Sequence, residues 1–318
     1  MSIKQLMAVA CAAGLAFGAF AEEAKASEAE KEEKEGVSFT PGEGISFGEM
    51  QIVTAEFGLA FDSKFMSYGL VDNKDPIITP SAGITFFDWV CFEVEALFDV
   101  TKYGKKAGYG NRASRYMELD PGVSLVHSFS PDDYEWLPTT VEFSLGYSYE
   151  YHPRSMGGGT GEPGDDTQFV TFEVGLPDLW VEPTFSYERD IDRDNGTYLN
   201  LELGHTFPLI DGEGDGDPLL ALRPSIAQGF GNTQRVAGYL VKHHTEDEAL
   251  DHGGLMDTCA KLELTWNICD CLSLSGYVAY YDYIFDEEMR DAARDYEATG
   301  RDDTSWHFVG GVALTATF

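Results

Sequence analysis

The sequence has no long hydrophobic run after its first twenty residues, and it is poor in basic side chains and in cysteine. Beyond residues 6–20, no stretch reaches the ~18 apolar residues that a membrane-spanning helix needs. Lysine and arginine number 21 against 55 acidic residues, which gives a net charge of −34. Nucleic-acid binding is therefore excluded, because contacts with phosphate groups require clustered lysine and arginine side chains. If the chain spans a membrane, it must do so as a closed barrel.

The first 21 residues have the pattern of a secretory signal peptide. A short, once-charged start is followed by an apolar stretch over 6–20 and by Ala19-Phe20-Ala21, an A-x-A cleavage site. We expect cleavage after Ala21. A lipoprotein signal at Cys11 is the alternative, but it leaves only ten residues for the whole signal.

Residues 22–48 form a separate acidic piece. The part from 22 to 36 holds seven glutamates, three lysines and no large apolar side chain, so it cannot bury enough surface to order itself. We predict that 22–48 is a flexible periplasmic segment. A helical tether to a partner remains the alternative.

The remaining chain, 49–318, repeats a strand pattern twelve times. In the clearest case, Val141 to Tyr151, aromatic and aliphatic residues occupy one face and small or acidic residues the other, which favours a strand over a helix. The twelve segments are 53–65, 78–86, 92–100, 117–129, 141–151, 168–176, 181–189, 199–207, 220–230, 260–268, 272–283 and 306–318.

The connections between these segments alternate in length. Most joints after even segments are tight turns, whereas most joints after odd segments are long and polar. Short periplasmic turns and long outer loops are typical of bacterial barrels. The fold class we predict is all-β: a transmembrane, antiparallel, up-and-down β-barrel of about 12 strands. A soluble barrel or sandwich is the alternative, but it would turn its apolar face inward.

The last segment carries a family resemblance. Residues 306–318 alternate apolar and polar positions and end in Phe318, and in this they resemble the closing strand of bacterial outer-membrane β-barrels. Ser67-Tyr68-Gly69-Leu70, followed by Pro76 and Pro80, is similar to the first hairpin of porins with about 12 strands, although the arginine that commonly follows the tyrosine is missing. The resemblance implies the outer membrane of a Gram-negative-type bacterium, contact with its lipid and lipopolysaccharide, and recognition of Phe318 by the barrel assembly machinery.

If the apolar face meets lipid, the alternate residues line the lumen and are mostly acidic. An interior of this kind favours a water-filled, cation-preferring passage, so we expect a porin-like channel for passive diffusion of small solutes or cations. A barrel plugged by its own loops, and a structural or adhesive barrel that binds ligands through its surface loops, remain alternatives. The predicted pore-lining residues are Glu93, Glu95, Glu142, Glu150, Glu173, Glu182, Glu202, Arg223, Lys261 and Glu263.

Two clusters have metal-ligand chemistry. Asp211, Glu213, Asp215 and Asp217 alternate with glycines, so their oxygens could converge on Ca²⁺, although a solvated turn explains the same residues. His243, His244 and His252 lie among acids in the longest loop, but their spacing matches no closed zinc site. No other cofactor is expected.

Four cysteines remain after removal of the signal: Cys91, Cys259, Cys269 and Cys271. A bridge within the turn Cys269-Asp270-Cys271, reduced thiols and pairing with Cys91 or Cys259 are all open.

Catalysis is not expected. His127 and His205 fall on the apolar face, where an interfacial lipase could place its base, but no serine-containing motif accompanies either residue. We therefore predict that the protein is not an enzyme.

Overall fold

The computed structural model describes residues 37–47, 50–100, 115–152, 166–212, 217–240, 250–298 and 304–318. The predicted signal peptide, 1–21, and residues 22–36 lie outside this part of the chain. The strands are β1 Val37–Thr40, β2 Gly44–Phe47, β3 Met50–Asp62, β4 Phe65–Ser67, β5 Leu70–Asn73, β6 Ile77–Phe86, β7 Val90–Asp99, β8 Arg115–Phe129, β9 Val141–Glu150, β10 Thr167–Gly175, β11 Thr184–Asp190, β12 Thr197–Gly204, β13 Phe207–Ile210, β14 Leu220–Gly231, β15 Gly254–Cys269, β16 Leu272–Asp282 and β17 His307–Thr317. The helices are α1 Thr233–Leu240 and α2 Glu287–Ala298.

Twelve of the strands close into one antiparallel barrel. The order around the barrel is β3, β6 to β12, and β14 to β17, and β17 returns to β3 with Leu314 opposite Leu59. Each of the twelve alternating segments overlaps one of these strands, so the predicted fold class is confirmed. Neither described helix is long and apolar enough to cross a membrane.

The outer face of the barrel is apolar. Along β15, Leu262, Leu264 and Trp266 point outward and are 43–47% exposed, while Lys261 and Glu263 point into the lumen and pair with each other. A belt of exposed leucine, valine and aromatic side chains continues over the other strands. Such a continuous apolar exterior requires lipid around it, which excludes the soluble alternative.

The two ends of the barrel differ as the sequence predicts. At one end the connections are turns such as Phe87-Asp88, whose φ angles of 56° and 58° suit a tight hairpin. We call this the periplasmic end and the opposite one the outer end, by the rule for bacterial barrels. Two longer connections at this end, 130–140 and 205–219, make specific contacts within their described residues. Strand β13 folds back on β14, and the Thr140 backbone N–H donates to Asp178 across 2.8 Å. Hydrogen bonds from Thr140 lower the pKa of the Asp178 carboxyl.

The segment predicted to be flexible over 22–48 ends in a hairpin. Strands β1 and β2 pair with each other, and β2 continues onto the first residues of β3. The turn is possible because Gly42 and Gly44 have φ angles of 89° and 84°, a region that favours glycine. The structure thus differs from the expectation at 37–47, where β2 pairs with the first residues of β3, beyond the end of β17.

Parts of the outer connections pack inside the outer end of the lumen. Hairpin β4–β5, α1 and α2 pack together there, and we call these three elements the outer plug. Their shared core is fully buried, and its members are Leu70, Val236, Leu240, Met256, Tyr283, Met289 and Ala293. Asn232 Oδ1 caps α1 through the Arg235 N–H, and Asp286 Oδ1 caps α2 through the Met289 N–H, each across 3.0 Å.

Candidate functional site

One sector of the lumen wall, formed by β3 and β6 to β8, is acidic and surrounds a cavity. The cavity has a volume of about 510 Å³, and its lining includes Glu56, Glu93, Glu95 and Asp120. Glu95 lies directly opposite Asp120 in the β7–β8 register. Adjacent carboxylates repel each other unless water or cations enter. The predicted pore-lining residues Glu93 and Glu95 therefore face a space that suits hydrated cations.

Glycine makes room for one of these carboxylates. Gly83 and Gly122 lie opposite Glu93 on the two neighbouring strands. A Cβ atom at position 122 would come within 2.9 Å of Glu93 Oε1, so a larger residue there would push the carboxylate away. The local sequence thus keeps the Glu93 side chain free to project into the cavity.

The opposite sector is neutralised by ion pairs. The Arg223 guanidinium contacts Glu202, and its Nε lies 3.3 Å from Glu182 Oε2. Lys261 Nζ lies 2.5 Å from Glu263 Oε2 and 5.1 Å from the centre of the Tyr277 ring. All five predicted residues on this wall are thus paired with one another, and they leave little net charge for the lumen.

The position of Glu182 differs from the prediction. The predicted segment 181–189 places Glu182 near its start, but β11 begins at Thr184, and Glu182 lies in the preceding turn with a φ angle of 37°. Its carboxylate accepts hydrogen bonds from the backbone N–H and the hydroxyl of Thr206, across 2.6 and 2.9 Å. Glu182 therefore ties two periplasmic turns together, a role that strand parity does not reveal.

Three predicted residues complete the lumen wall. Glu173 lies opposite Ser144, and Glu142 lies opposite Gly175, both near the periplasmic end of the β9–β10 pair. Among the described residues, neither carboxylate has a salt bridge, and the same holds for Glu93 and Glu95. Glu150 is placed higher on β9, where its Oε1 lies 3.2 Å from His152 Nε2.

The outer plug is held by a buried arginine that the sequence analysis did not single out. Arg235 of α1 is 0% exposed, and its guanidinium lies 3.2 Å from both the Tyr68 hydroxyl and Glu188 Oε1 and 3.6 Å from Asp194 Oδ2. Its Cζ lies 4.7 Å from the centre of the Tyr68 ring. Tyr68 also donates to Glu188. A signal was available, because Val236 and Leu240 are spaced as on one helix face after the cap Asn232.

The plug contacts the wall opposite to the acidic cavity. Its contacts with the wall include Glu188 on β11, Tyr198 on β12 and Met256 on β15. The cavity, in contrast, is lined by β3, β6, β7 and β8, with Ser148 of β9 at its edge. The connections above that edge, 101–114 and 153–165, lie outside the described residues.

The candidate metal clusters lie only partly within the described residues. Asp211 and Asp217 are exposed at the periplasmic end, and Glu213 and Asp215 lie outside the described residues. His243 and His244 also lie outside them, while His252 Nε2 is 3.1 Å from Glu288 Oε2 of α2.

The cysteines are free thiols in the described structure. Cys269 Sγ and Cys271 Sγ are 3.1 Å apart in their periplasmic turn. Cys91 lines the acidic cavity instead, and Cys259 lies opposite Tyr281 on the β15–β16 pair.

The two histidines of the apolar face lie among aromatic side chains. His127 stacks on Trp89 with ring centres 3.9 Å apart, and His205 stacks on Trp180 with ring centres 5.2 Å apart. Trp89 and Trp180 are strongly exposed at the periplasmic rim, at 45% and 73%. These pairs form part of the aromatic girdle that marks a membrane interface.

A closed barrel with an apolar belt and an aromatic girdle decides the class of protein. The chain folds as a transmembrane β-barrel. No protein-family model matches its sequence, and no curated protein matches it.

Several solved structures are similar to this barrel in outline. An outer-membrane channel from Pseudomonas putida F1 is 9% identical, with a TM-score of 0.43, over 84% of this chain and 96% of that chain. The NanC porin is 6% identical, with a TM-score of 0.41, over 83% of this chain and 98% of that chain. OmpT, an outer-membrane protein of Vibrio cholerae, is 10% identical, with a TM-score of 0.33, over 84% and 96%. Likeness at this level carries no argument about function, which rests on the chain's own residues.

Proposed function

We propose that the protein is a porin-like channel for passive diffusion whose passage prefers cations and follows the acidic sector of the lumen. The observation that carries the proposal is the cavity of about 510 Å³ lined by Glu56, Glu93, Glu95 and Asp120. Carboxylates that line a narrow, low-dielectric passage concentrate cations and repel anions.

The arrangement of the plug supports an eccentric passage. The plug contacts β11, β12 and β15, on the wall opposite to the acidic cavity. Arg223 on β14 and Lys261 on β15 are basic lumen residues that pair with acidic side chains. Net negative charge is therefore concentrated on the side of the cavity, where a cation would pass.

The test is single-channel recording in a planar bilayer of the folded barrel purified from outer membranes. We expect small, discrete conductance steps, because the plug narrows the lumen. A barrel that is shown to be folded by its heat-modifiable migration on gels, and that conducts nothing, would contradict the proposal.

A second function is favoured by the plug itself. A lumen whose outer end is packed around buried residues such as Met289 and Arg235 also suits a structural or adhesive barrel. In that case the surface loops bind ligands and no current flows. The same recording separates the two functions.

A further inference from the structure

A histidine and two glutamates converge on the lumen wall just above the acidic cavity. Glu118 of β8, Glu150 of β9 and His152, which follows β9, each offer one donor atom, and the three atoms lie within 4.8 Å of one another. His152 Nε2 lies 3.3 Å from Glu118 Oε2 and 3.2 Å from Glu150 Oε1. None of these residues takes part in the ion pairs of the opposite wall.

The register of the two strands brings these donors together. Leu119 and Tyr151 exchange both backbone hydrogen bonds, across 3.0 and 2.9 Å. This bridge places Glu118 opposite His152 and Asp120 opposite Glu150, and all four side chains share the lumen face because parity alternates along each strand. The arrangement therefore follows from the fold and needs no loop to assemble it.

The backbone of His152 is fixed in place. Its N–H donates to Asp166 Oδ1 across 2.9 Å, and Asp166 Oδ2 accepts the hydroxyl of Tyr149 across 2.9 Å. Pro153 follows and restricts His152 to an extended conformation. A histidine held in this way is suited to present one ring nitrogen to a fixed point.

The one proton of His152 Nε2 does not satisfy both carboxylates. A single imidazole nitrogen carries at most one proton, so Nε2 can donate a linear hydrogen bond to only one of the two carboxylates. Glu118 is only 9% exposed, so water has little access to it. Close by, Asp120 Oδ1 is a buried oxygen without a hydrogen-bond partner among the described residues. Buried oxygens of this kind require a partner such as a proton donor or a cation.

Two of the three separations between donor atoms match those of ligands around one metal ion. Zinc lies about 2.1 Å from nitrogen and oxygen ligands, so tetrahedral geometry places neighbouring donor atoms about 3.4 Å apart. The two measured separations from His152 Nε2, 3.2 and 3.3 Å, are close to that value. Imidazole with carboxylates is a donor set that suits zinc and similar transition metals.

We propose that Glu118, Glu150 and His152 form a binding site for one divalent transition-metal ion of the zinc class, with Asp120 beside it as a further oxygen donor. The site is distinct from the acidic loop at 211–217 and from the histidines of the longest loop. It goes beyond the proposed channel function, because binding of the metal requires no conduction.

The test is binding of zinc chloride to the folded barrel in detergent after removal of metals with a chelator. We expect one Zn²⁺ per chain, and Co²⁺ in its place should give the strong visible absorption of a tetrahedral complex. His152→Gln and Glu118→Gln should each lower the affinity at least about tenfold and abolish that absorption, since each removes one ligand.

Two variants serve as matched controls. Glu142→Gln removes a lumenal carboxylate lower on β9, and His252→Gln removes an outer-loop histidine. Both should bind Zn²⁺ as the wild type does. Absence of stoichiometric binding by the folded wild type, or equal binding by wild type and His152→Gln, would overturn the proposal. Both results concern metal binding alone and do not test conduction. The metal site and the channel function are therefore tested separately.

Discussion

The hydroxyl of Tyr68 donates to Glu188 across the lumen. Tyr68 lies in the connection that follows β3, while Glu188 belongs to β11, which is halfway around the twelve-stranded barrel. The hairpin β4–β5 therefore crosses the lumen from wall to wall. Gly69 permits this crossing, because a Cβ atom there would lie 2.3 Å from Asp257 Cβ. Arg235 then joins Tyr68 and Glu188 to α1.

Arg235→Gln should loosen the outer plug. Removing one partner from a buried ion pair typically costs about 3–5 kcal/mol, because it leaves the remaining charges uncompensated. We expect faster hydrogen exchange of the α1 amides and faster proteolysis in α1, with the barrel still folded. Arg294→Gln is the control, since Arg294 forms an exposed pair with Asp291 on α2, and pairs of that kind contribute little. Equal exchange in both variants would show that Arg235 does not hold the plug.

Leu145→Arg and Ser144→Arg should differ in folding. Leu145 is 41% exposed on the outer face, with Leu125 and Phe172 on the neighbouring strands. Arginine facing lipid near the midplane costs about 2–4 kcal/mol. Ser144 faces the lumen opposite Glu173, where arginine gains a partner. Heat-modifiable migration on gels measures the folded fraction, and a similar loss in the two variants would refute the assignment of faces.

Docking of α2 should depend on pH through His252. The hydrogen bond to Glu288 raises the pKa of His252. Because the pKa is raised, the contact between His252 and Glu288 stabilises the docking of α2 fully below the ordinary histidine pKa of about 6.5. This stabilisation is lost as the pH rises through the pKa of His252 in the folded protein. Protease cleavage near α2 should therefore increase from about pH 6 to about pH 8. In His252→Gln this pH dependence should disappear. An unchanged profile in the variant would assign the effect to another group.

Mild oxidation should link Cys269 to Cys271. Their sulfurs are 3.1 Å apart at an exposed turn, whereas Cys91 and Cys259 face the lumen from β7 and β15. With diamide as the oxidant, two thiols lose two protons and two electrons and form one disulfide. Mass spectrometry of the alkylated protein should find this bridge with Cys91 and Cys259 still reduced. A bridge that joins Cys91 to Cys259 would contradict the register of the barrel.

The strands of the barrel were predictable because alternation acts locally. In Val141 to Tyr151 each side chain lies toward lipid or lumen by parity, so hydrophobicity marks both the strand and its face. The plug was not predictable in the same way. Tyr68, Glu188 and Arg235 meet only after three distant segments fold together, and a buried arginine is identical in sequence to an exposed one. The two short helices had detectable caps and spacing, but polar loops of similar composition often lack helices.

In the lumen, too, the faces of the strands were predictable from the sequence, but the contacts between side chains were not. Parity placed Glu93 and Glu95 on the lumen wall, but it gave no information on pairing. Glu182 and Glu202 occupy the same alternating positions in their predicted segments as Glu93 and Glu95 do in theirs. In the structure, however, both Glu182 and Glu202 pair with Arg223. His152 was overlooked because it follows the last residue of β9. Its spacing of two from Glu150 was the available signal, since it places both on one face.

The central claim is that the acidic sector selects cations, and reversal potentials in a salt gradient across a planar bilayer test it most directly. Wild type should prefer cations, and Glu93→Gln/Glu95→Gln should reduce that preference several-fold at nearly constant shape. The preference of wild type should also weaken near 1 M salt, where the screening length is about 3 Å. Glu287→Gln/Asp291→Asn removes the same charge from exposed positions on α2 and should behave as wild type. An ion preference that is equal in wild type and in the Glu93→Gln/Glu95→Gln variant would contradict the account.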